Sequence, residues 1–145
     1  MRASIFAEFF RRFLLPARTT GEVSLPTEDG RIGLVSKSDV ARCLAALASS
    51  GPTGRCHEVT GPAALDTPAL AATAAEAWGR SVTHRSISAT AHFAQLVASE
   101  EPWWAYAYTS LFASIREQRW DRVTNEVERL TGRPARPFSE ILSAM

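Results

Sequence analysis

The sequence predicts an α+β fold of about six helices and short strands, because capped segments of helical period alternate with runs of β-branched residues. Its composition is that of a globular protein: 46% of the 145 residues are hydrophobic and 21% are charged. These proportions exclude collagenous, low-complexity and fully disordered chains. The length favours a single domain over residues 1–145, with a core that needs no disulfide or structural metal.

Helical segments are marked by apolar residues three and four positions apart and by capping residues at their ends. Pro16 is expected to stop the first helix, and Gly79 and Gly132 to close later ones. The predicted N-terminal caps are Ser36, Asp66 or Thr67, Ser88 or Thr90, and Thr124. The segments predicted to be helical are 4–15, 36–47, 67–79, 92–99, 102–115, 124–130 and 138–142.

Short runs of β-branched and apolar residues between these segments predict the strands. Three strands are expected, at Arg31–Val35, Cys56–Thr60 and Ser81–Ile87. Residues 18–30 are rich in Thr, Gly, Pro and Asp and predict a loop, with a short extended piece at Val23–Leu25.

The net charge and the two cysteines indicate which partners the protein binds and in which cellular compartment it is found. The formal net charge of +1 argues against nucleic-acid binding and against electrostatic attachment to a membrane. Cys43 and Cys56 match no zinc spacing and are expected to be buried or half-buried free thiols of a cytoplasmic protein. Glu8, Arg11 and Arg12 interrupt the apolar start, which favours a structural helix over a secretory signal or a transit peptide.

The motifs that hold nucleotides or activate nucleophiles are missing. The sequence has no G-x-G-x-x-G, no G-x-x-x-x-G-K-[ST] and no G-x-S-x-G segment. Neither Tyr106 nor Tyr108 has a lysine four residues on, and Cys56 and His57 are expected on opposite faces of a strand. His92, on a predicted helix, is expected to be a satisfied surface or boundary histidine. No catalytic residue and no metal site are therefore predicted.

An aromatic block extends from Phe93 to Trp120 and holds three of the four tryptophans. Two interpretations remain open. The block forms a core helix and its neighbours, or it lines a pocket for a flat organic ligand.

Several segments, in order, resemble one family. They are 1–8 (MRASIFAE), 29–41 (DGRIGLVSKSDVA), 57–65 (HEVTGPAAL), 77–82 (AWGRSV), and 123–138 with its T-G-R-P element. Together they resemble the C-terminal half of the NmrA-like, NAD(P)-binding atypical short-chain dehydrogenases/reductases, which include quinone- and azo-reductase-like members and ergot-alkaloid-type reductases. The resemblance covers nearly the whole chain.

The resemblance implies the substrate-side half of a Rossmann-type α/β protein. In that family the glycine-rich fingerprint lies in the N-terminal half, so NAD(P) is implied as a cofactor but is not expected to bind tightly to this chain alone. No cofactor-binding residue is carried over. What carries over is the substrate side, namely Phe6 and Phe9 on the first helix and Trp104 and Tyr108 on the aromatic helix.

The functional prediction is the substrate-binding portion of an NAD(P)-dependent oxidoreductase, truncated or split, that acts on a small flat organic acceptor. Three alternatives stay open: a free-standing small-molecule binding domain, a cofactor-independent isomerase or cyclase, and a regulatory redox-sensing module. A helix with Phe6, Phe9, Phe10 and Phe13 would expose a large apolar face without the other half. A homodimer, or a separate chain that supplies the missing half, is therefore expected, with a fold-back of this helix over a smaller core as the alternative.

Overall fold

The computed structural model describes residues 1–144. Within them the α-helices are α1 (Ala7–Phe10), α2 (Ala17–Thr20), α3 (Lys37–Ser50), α4 (Thr67–Trp78), α5 (Ala89–Val97), α6 (Pro102–Arg116), α7 (Glu126–Thr131) and α8 (Phe138–Ser143). The strands are β1 (Arg2–Ala3), β2 (Glu22–Leu25), β3 (Glu58–Val59) and β4 (Thr83–Ser86). The α+β class is confirmed, although this part of the chain has eight helices rather than six.

The strands form two separate parallel pairs. β1 lies beside β3, with Arg2 opposite Glu58, and β2 lies beside β4, with Glu22 opposite Thr83. The strands predicted around β3 and β4 are confirmed with shorter bounds, and the extended piece at Val23–Leu25 is confirmed one residue longer, as β2. Parallel pairing requires a crossover, and α4 is part of the connection between β2 and β4.

The predicted strand at Arg31–Val35 is wrong. Only isolated bridges form there, because successive residues bond to different neighbours: Ile32 pairs with Leu65 and Trp120, and Val35 pairs with Phe6. A strand needs one continuous partner, and none runs alongside this segment in the described chain.

The first helix is shorter than its apolar period predicts. The Ser4 N–H donates to the carbonyl of Val59, and the Val35 N–H donates to the carbonyl of Ile5, so extended pairing occupies these first residues. One α-turn then continues into a 3₁₀ turn at Arg11–Phe13. Pro16 ends this segment as predicted. It also begins α2 in a region predicted to be a loop, because its φ of −56° suits a helix start.

Most predicted caps are confirmed. The hydroxyls of Ser36 and Ser88 and the carboxylate of Asp66 each accept a hydrogen bond from the backbone N–H three residues on. The prediction for Thr124 is wrong, since α7 begins after Asn125 and the Thr124 hydroxyl instead donates to the carbonyl of Glu58.

The T-G-P element has a packing reason. A Cβ on Gly61 would lie 1.8 Å from the carbonyl oxygen of Leu34, so a side chain there would force two backbone segments apart. Thr60, just before it, receives the Thr124 N–H on its hydroxyl at 2.9 Å. This short element therefore joins three separate parts of the chain.

Two apolar clusters form the interior. The larger joins α1, α4, α6 and α8 around Phe10, Leu70 and Phe112. The smaller, here the second cluster, consists of Val35, Val40, Cys43, Val59 and Val127, with Phe6 packed against it.

The predicted exposure of the phenylalanine face is wrong. Phe10 is fully buried, and Phe6, Phe9 and Phe13 are half-buried. The chain's own α6 covers part of this face, because Phe10 and Phe13 both pack edge-on against Phe112. The large apolar side chains left exposed on α5 and α6 are Phe93, Val97, Trp103, Trp104 and Tyr106.

Candidate functional site

Three of the four predicted substrate residues come together where α1 meets α6. The rings of Trp104 and Tyr108 are stacked at 5.6 Å between centroids with an interplanar angle of 26°. Phe9 lies 6.1 Å from Tyr108. Trp104 and Tyr108 share a face because they are four residues apart on α6.

Phe6 does not join them. It lies just before α1 in an extended conformation, with φ −68° and ψ 128°, and packs on the second cluster. The prediction that Phe6 and Phe9 share a helix face assumed a helix from Ser4. Because the helix begins at Ala7, the two side chains contact different clusters.

Arg12 links this group of rings to the segment between α5 and α6. It donates to the Tyr108 hydroxyl at 2.5 Å and to the Glu100 carboxylate at 2.5 Å. Its guanidinium also lies over the Tyr108 ring, 4.8 Å from the centroid. Arg12 therefore fixes the phenol of α6 and the junction between α5 and α6 in one arrangement. Sequence analysis did not single out Arg12 for this role.

A cavity of about 410 Å³ lies next to this arrangement. Small-molecule sites have volumes of roughly 300–1,000 Å³. Phe13 brings the aromatic cluster to its wall, and β2, β4 and α5 supply most of the remainder. Its lining residues are Arg12, Phe13, Pro16, Thr20, Glu22, Ser24, Leu25, Arg85, His92, Gln95, Leu96, Ser99 and Glu100.

The charged side chains of this cavity are paired. Glu100 accepts from Arg12, and Glu22 accepts from Arg85 at 2.8 Å. Hydrogen bonds from Ser24 and then Arg85 lower the pKa of Glu22, so it stays ionised at neutral pH. The cavity thus presents polar groups with balanced charge.

His92 differs from the sequence expectation. It is 5% exposed, and its Nδ1 is a buried polar atom with no hydrogen-bond partner in residues 1–144. Its ring packs edge-on against Phe112 at 4.8 Å. Burial lowers its pKa, so the imidazole is neutral at physiological pH. Helical period predicts that His92 lies on a helix, but no sequence signal marks its missing hydrogen-bond partner.

The other titratable candidates have structural partners or are exposed. His57 is buried, with Nδ1 2.7 Å from Glu126 and Nε2 2.6 Å from the Thr53 hydroxyl. His84 lies on the exposed strand β4. Cys43 is a buried free thiol as predicted, whereas Cys56 is exposed, contrary to the prediction.

No group of His, Cys, Asp and Glu that could hold a metal ion occurs within residues 1–144. Arginines are the groups best suited to contact phosphates. Arg2, Arg119 and Arg122 line a second cavity of about 500 Å³ beside β1 and β3. Arg122 is paired there with Glu58 at 2.5 Å.

The positive-φ glycines of the described chain are not arranged as in a dinucleotide site. Such a site places glycines between a strand and a helix N-terminus. Here the glycines with positive φ follow helices or lie in a loop: Gly21, Gly51, Gly54, Gly79 and Gly132. None of the helices described up to residue 144 is long and apolar enough to cross a membrane.

Comparisons with curated proteins identify oxidoreductases. The uncharacterized oxidoreductase YesF of Bacillus subtilis is 30% identical over 99% of this chain and 52% of its own length. The (4-alkanoyl-5-oxo-2,5-dihydrofuran-3-yl)methyl phosphate reductase of Streptomyces griseus is 32% identical over 85% of this chain and 44% of its own. The NAD(P)H azoreductase of Xenophilus azovorans is 30% identical over 88% of this chain and 45% of its own.

Solved structures show the same fold. The NADPH-dependent quinone oxidoreductase QOR2 of Escherichia coli, in complex with NADPH, superposes over 99% of this chain and 51% of its own with a TM-score of 0.90 at 20% identity. The triphenylmethane reductase of Citrobacter sp., in complex with NADP(H), gives 0.88 at 18% identity over 99% of this chain and 51% of its own. No protein-family model matches.

The chain spans about half the length of the curated relatives it matches. The predicted similarity to NAD(P)-dependent reductases is confirmed for the half of their length that this chain matches. That the matched half is the C-terminal one stays a prediction.

Proposed function

We propose that this chain is the substrate-binding portion of an NAD(P)-dependent, NmrA-like oxidoreductase that acts on a small, flat organic acceptor. The observation that carries the proposal is the 30–32% identity, over 85–99% of the chain, to two named reductases and a named oxidoreductase. The shared fold supports the same assignment.

The site is consistent with this role. The cavity combines the apolar side chains of Phe13, Leu25 and Leu96 with polar groups of balanced charge, and Phe13 packs against Phe9 and Tyr108. Sites for small organic molecules combine these two features. Arg12 would fix the position of the aromatic cluster relative to the cavity, since it donates to both Tyr108 and Glu100.

The nucleotide would be held by a part of the protein, or by another chain, outside this sequence. A bound nicotinamide supplies the hydride in such reductases. The residues described in this chain bind and orient the acceptor and limit its contact with water.

A fusion tests the proposal. The part of YesF that this chain does not match is joined to residues 1–145, and NADPH oxidation with menadione is followed by absorbance. The exposed thiol of Cys56 adds to quinones, so the assay uses the Cys56→Ser background. We expect turnover by the fusion and none by either part alone. Binding of NADPH by the fusion without reduction of menadione or of an azo dye would contradict the proposal.

NADPH titration of the chain alone complements this experiment. We expect no saturable enhancement of NADPH fluorescence at micromolar concentrations, because the described chain lacks a glycine-rich pyrophosphate loop. Saturation at low micromolar protein would instead assign an anion site, for which Arg2, Arg119 and Arg122 are the candidates.

One alternative has its own support. A free-standing small-molecule binding domain needs a cavity and no nucleotide. The cavity of about 410 Å³ that His92 lines meets that requirement. Ligand binding by the chain, together with an inactive fusion, would favour this alternative.

A further inference from the structure

His92 lies in the first turn of α5, where its backbone N–H donates to the carbonyl of Ser88 at 3.0 Å. The side chain is turned inward, between Phe112 on one side and the cavity on the other. A polar ring at a buried position costs free energy unless its nitrogens find partners. Its Nδ1, a buried atom, has no partner among residues 1–144.

The missing partner decides which nitrogen carries the proton. Nδ1 is the buried ring nitrogen, and His92 lines the cavity, which assigns the other nitrogen, Nε2, to the cavity side. A buried N–H without an acceptor is rarer and less favourable than a buried lone pair. The neutral ring therefore carries its proton on Nε2 and presents a single N–H donor to the cavity.

The remaining groups of the cavity select against a charged ligand. Arg12 is neutralised by Glu100, and Arg85 by Glu22. A carboxylate or an ammonium ion would have to break one of these pairs to gain a counter-charge. An uncharged ligand leaves both pairs intact and buries its apolar surface against Phe13 and Leu96.

We infer that this cavity binds an uncharged, flat organic molecule and that His92 donates a hydrogen bond from Nε2 to a carbonyl oxygen or an azo nitrogen of that molecule. The inference rests on the proposed function in taking this molecule to be the acceptor substrate. His92 is then a binding residue that selects for an acceptor atom and fixes the orientation of the ring system.

The tautomer is tested first, on the wild-type chain. Long-range ¹H–¹⁵N correlation spectra of ¹⁵N-histidine-labelled protein distinguish the two neutral tautomers, and the spectrum of His92→Phe assigns the resonance. We expect a protonated Nε2 and a bare Nδ1 for His92. A protonated Nδ1 would overturn the inference.

Ligand selectivity is tested with a matched pair of probes. 1-Indanone carries one carbonyl on a flat bicyclic frame, and indane is the same frame without it. We expect 1-indanone to shift the His92 Nε2 resonance and to bind more tightly than indane. Equal affinities, or no binding of 1-indanone at millimolar concentration, would overturn the inference.

The variant His92→Phe keeps a flat ring and removes the donor. We expect roughly three- to tenfold weaker binding of 1-indanone, as for the loss of one hydrogen bond, with indane affinity unchanged. His84→Phe, on exposed β4, is the control and should bind both probes as the wild type does. An equal loss for both probes would show that His92 acts only through packing.

None of these measurements uses NADPH. A His92-dependent 1-indanone site, together with a fusion that binds NADPH but is inactive, would reject the reductase proposal and leave the His92 hydrogen bond to an uncharged ligand standing. A fusion that turns over menadione, and whose turnover and 1-indanone affinity are both unchanged by His92→Phe, would support the reductase proposal and reject this inference.

Discussion

Two buried histidines of this chain have opposite surroundings. His57 is 3% exposed and both its ring nitrogens lie within hydrogen-bond distance of partners, Glu126 and Thr53. His92 is 5% exposed and its Nδ1 has none within the described residues. Burial is the same, so burial alone does not tell a structural histidine from a ligand-binding one. The two are distinguished by whether both ring nitrogens have hydrogen-bond partners.

The difference follows from what each ring joins. His57 connects the loop after α3 to α7, and a buried polar group that ties two segments is stable only when it is satisfied. At His92 the buried Nδ1 has no partner, and the other ring nitrogen, Nε2, is left to bond to a ligand in the cavity that the residue lines. An unsatisfied group that persists in a core lowers stability, and binding sites are where such losses are found.

Of the substitutions at the two histidine sites, those around His57 should have the largest effect on stability. Glu126→Ala removes the acceptor of both the His57 ring and Arg129. Because the buried His57 ring loses its acceptor, while the half-exposed Arg129 can bond to water instead, we expect a loss of about 1–2 kcal/mol in the free energy of unfolding. Urea denaturation at pH 7 measures it. Glu126→Gln, which keeps one acceptor oxygen, should lose less, and equal losses would weaken the assignment of this network as structural.

Acid should affect the same network. Hydrogen bonds from Arg129 and then His57 lower the pKa of Glu126 from 4.5 to about 2, with burial opposing them. A carboxylate with a lowered pKa in the folded state stabilises above the unfolded value and loses that contribution as pH falls towards 2. Denaturation between pH 5 and 2.5 should show a decline that is shallower in Glu126→Gln. Parallel curves would contradict this.

At the second histidine, His92→Phe should leave the free energy of unfolding unchanged or raise it by up to about 1 kcal/mol, since it removes a buried unpartnered nitrogen.

Stability at His92 should also depend on pH. Burial lowers the pKa of His92, so the unfolded chain binds its proton first as pH falls below about 6.5. Wild-type stability should therefore decline between pH 7 and 5, and that of His92→Phe should decline less. Thermal denaturation at the two pH values measures both effects.

The smallest expected effect on stability concerns Trp104. It is 45% exposed, so Trp104→Leu should cost at most about 1 kcal/mol. Trp104 does not line the cavity and reaches it only through Tyr108 and Arg12, so if it is a substrate residue as predicted, the variant loses affinity for 1-indanone with little change in melting temperature. Phe10→Ala is the contrasting core substitution and should cost about 3–5 kcal/mol. Unchanged 1-indanone affinity in Trp104→Leu would remove Trp104 from the site.

Much of the local structure was predictable because it depends on neighbours in sequence. Ser36 and Asp66 cap their helices through N–H groups three residues on, and Gly79 closes α4 in the left-handed conformation. These features need only backbone geometry and a short polar side chain. The resemblance to reductases was likewise available from ordered motifs and agrees with the curated relatives.

Only the tertiary structure decided the rest, because it depends on what approaches from elsewhere. Phe6 left the helix since Val35 and Val59 pair with its neighbours, which separated it from Phe9. The stretch 31–35 has the composition of a strand but no continuous partner. Helical period placed His92 on α5. Its missing partner depends on Phe112, whose apolar ring packs against it and offers Nδ1 no acceptor.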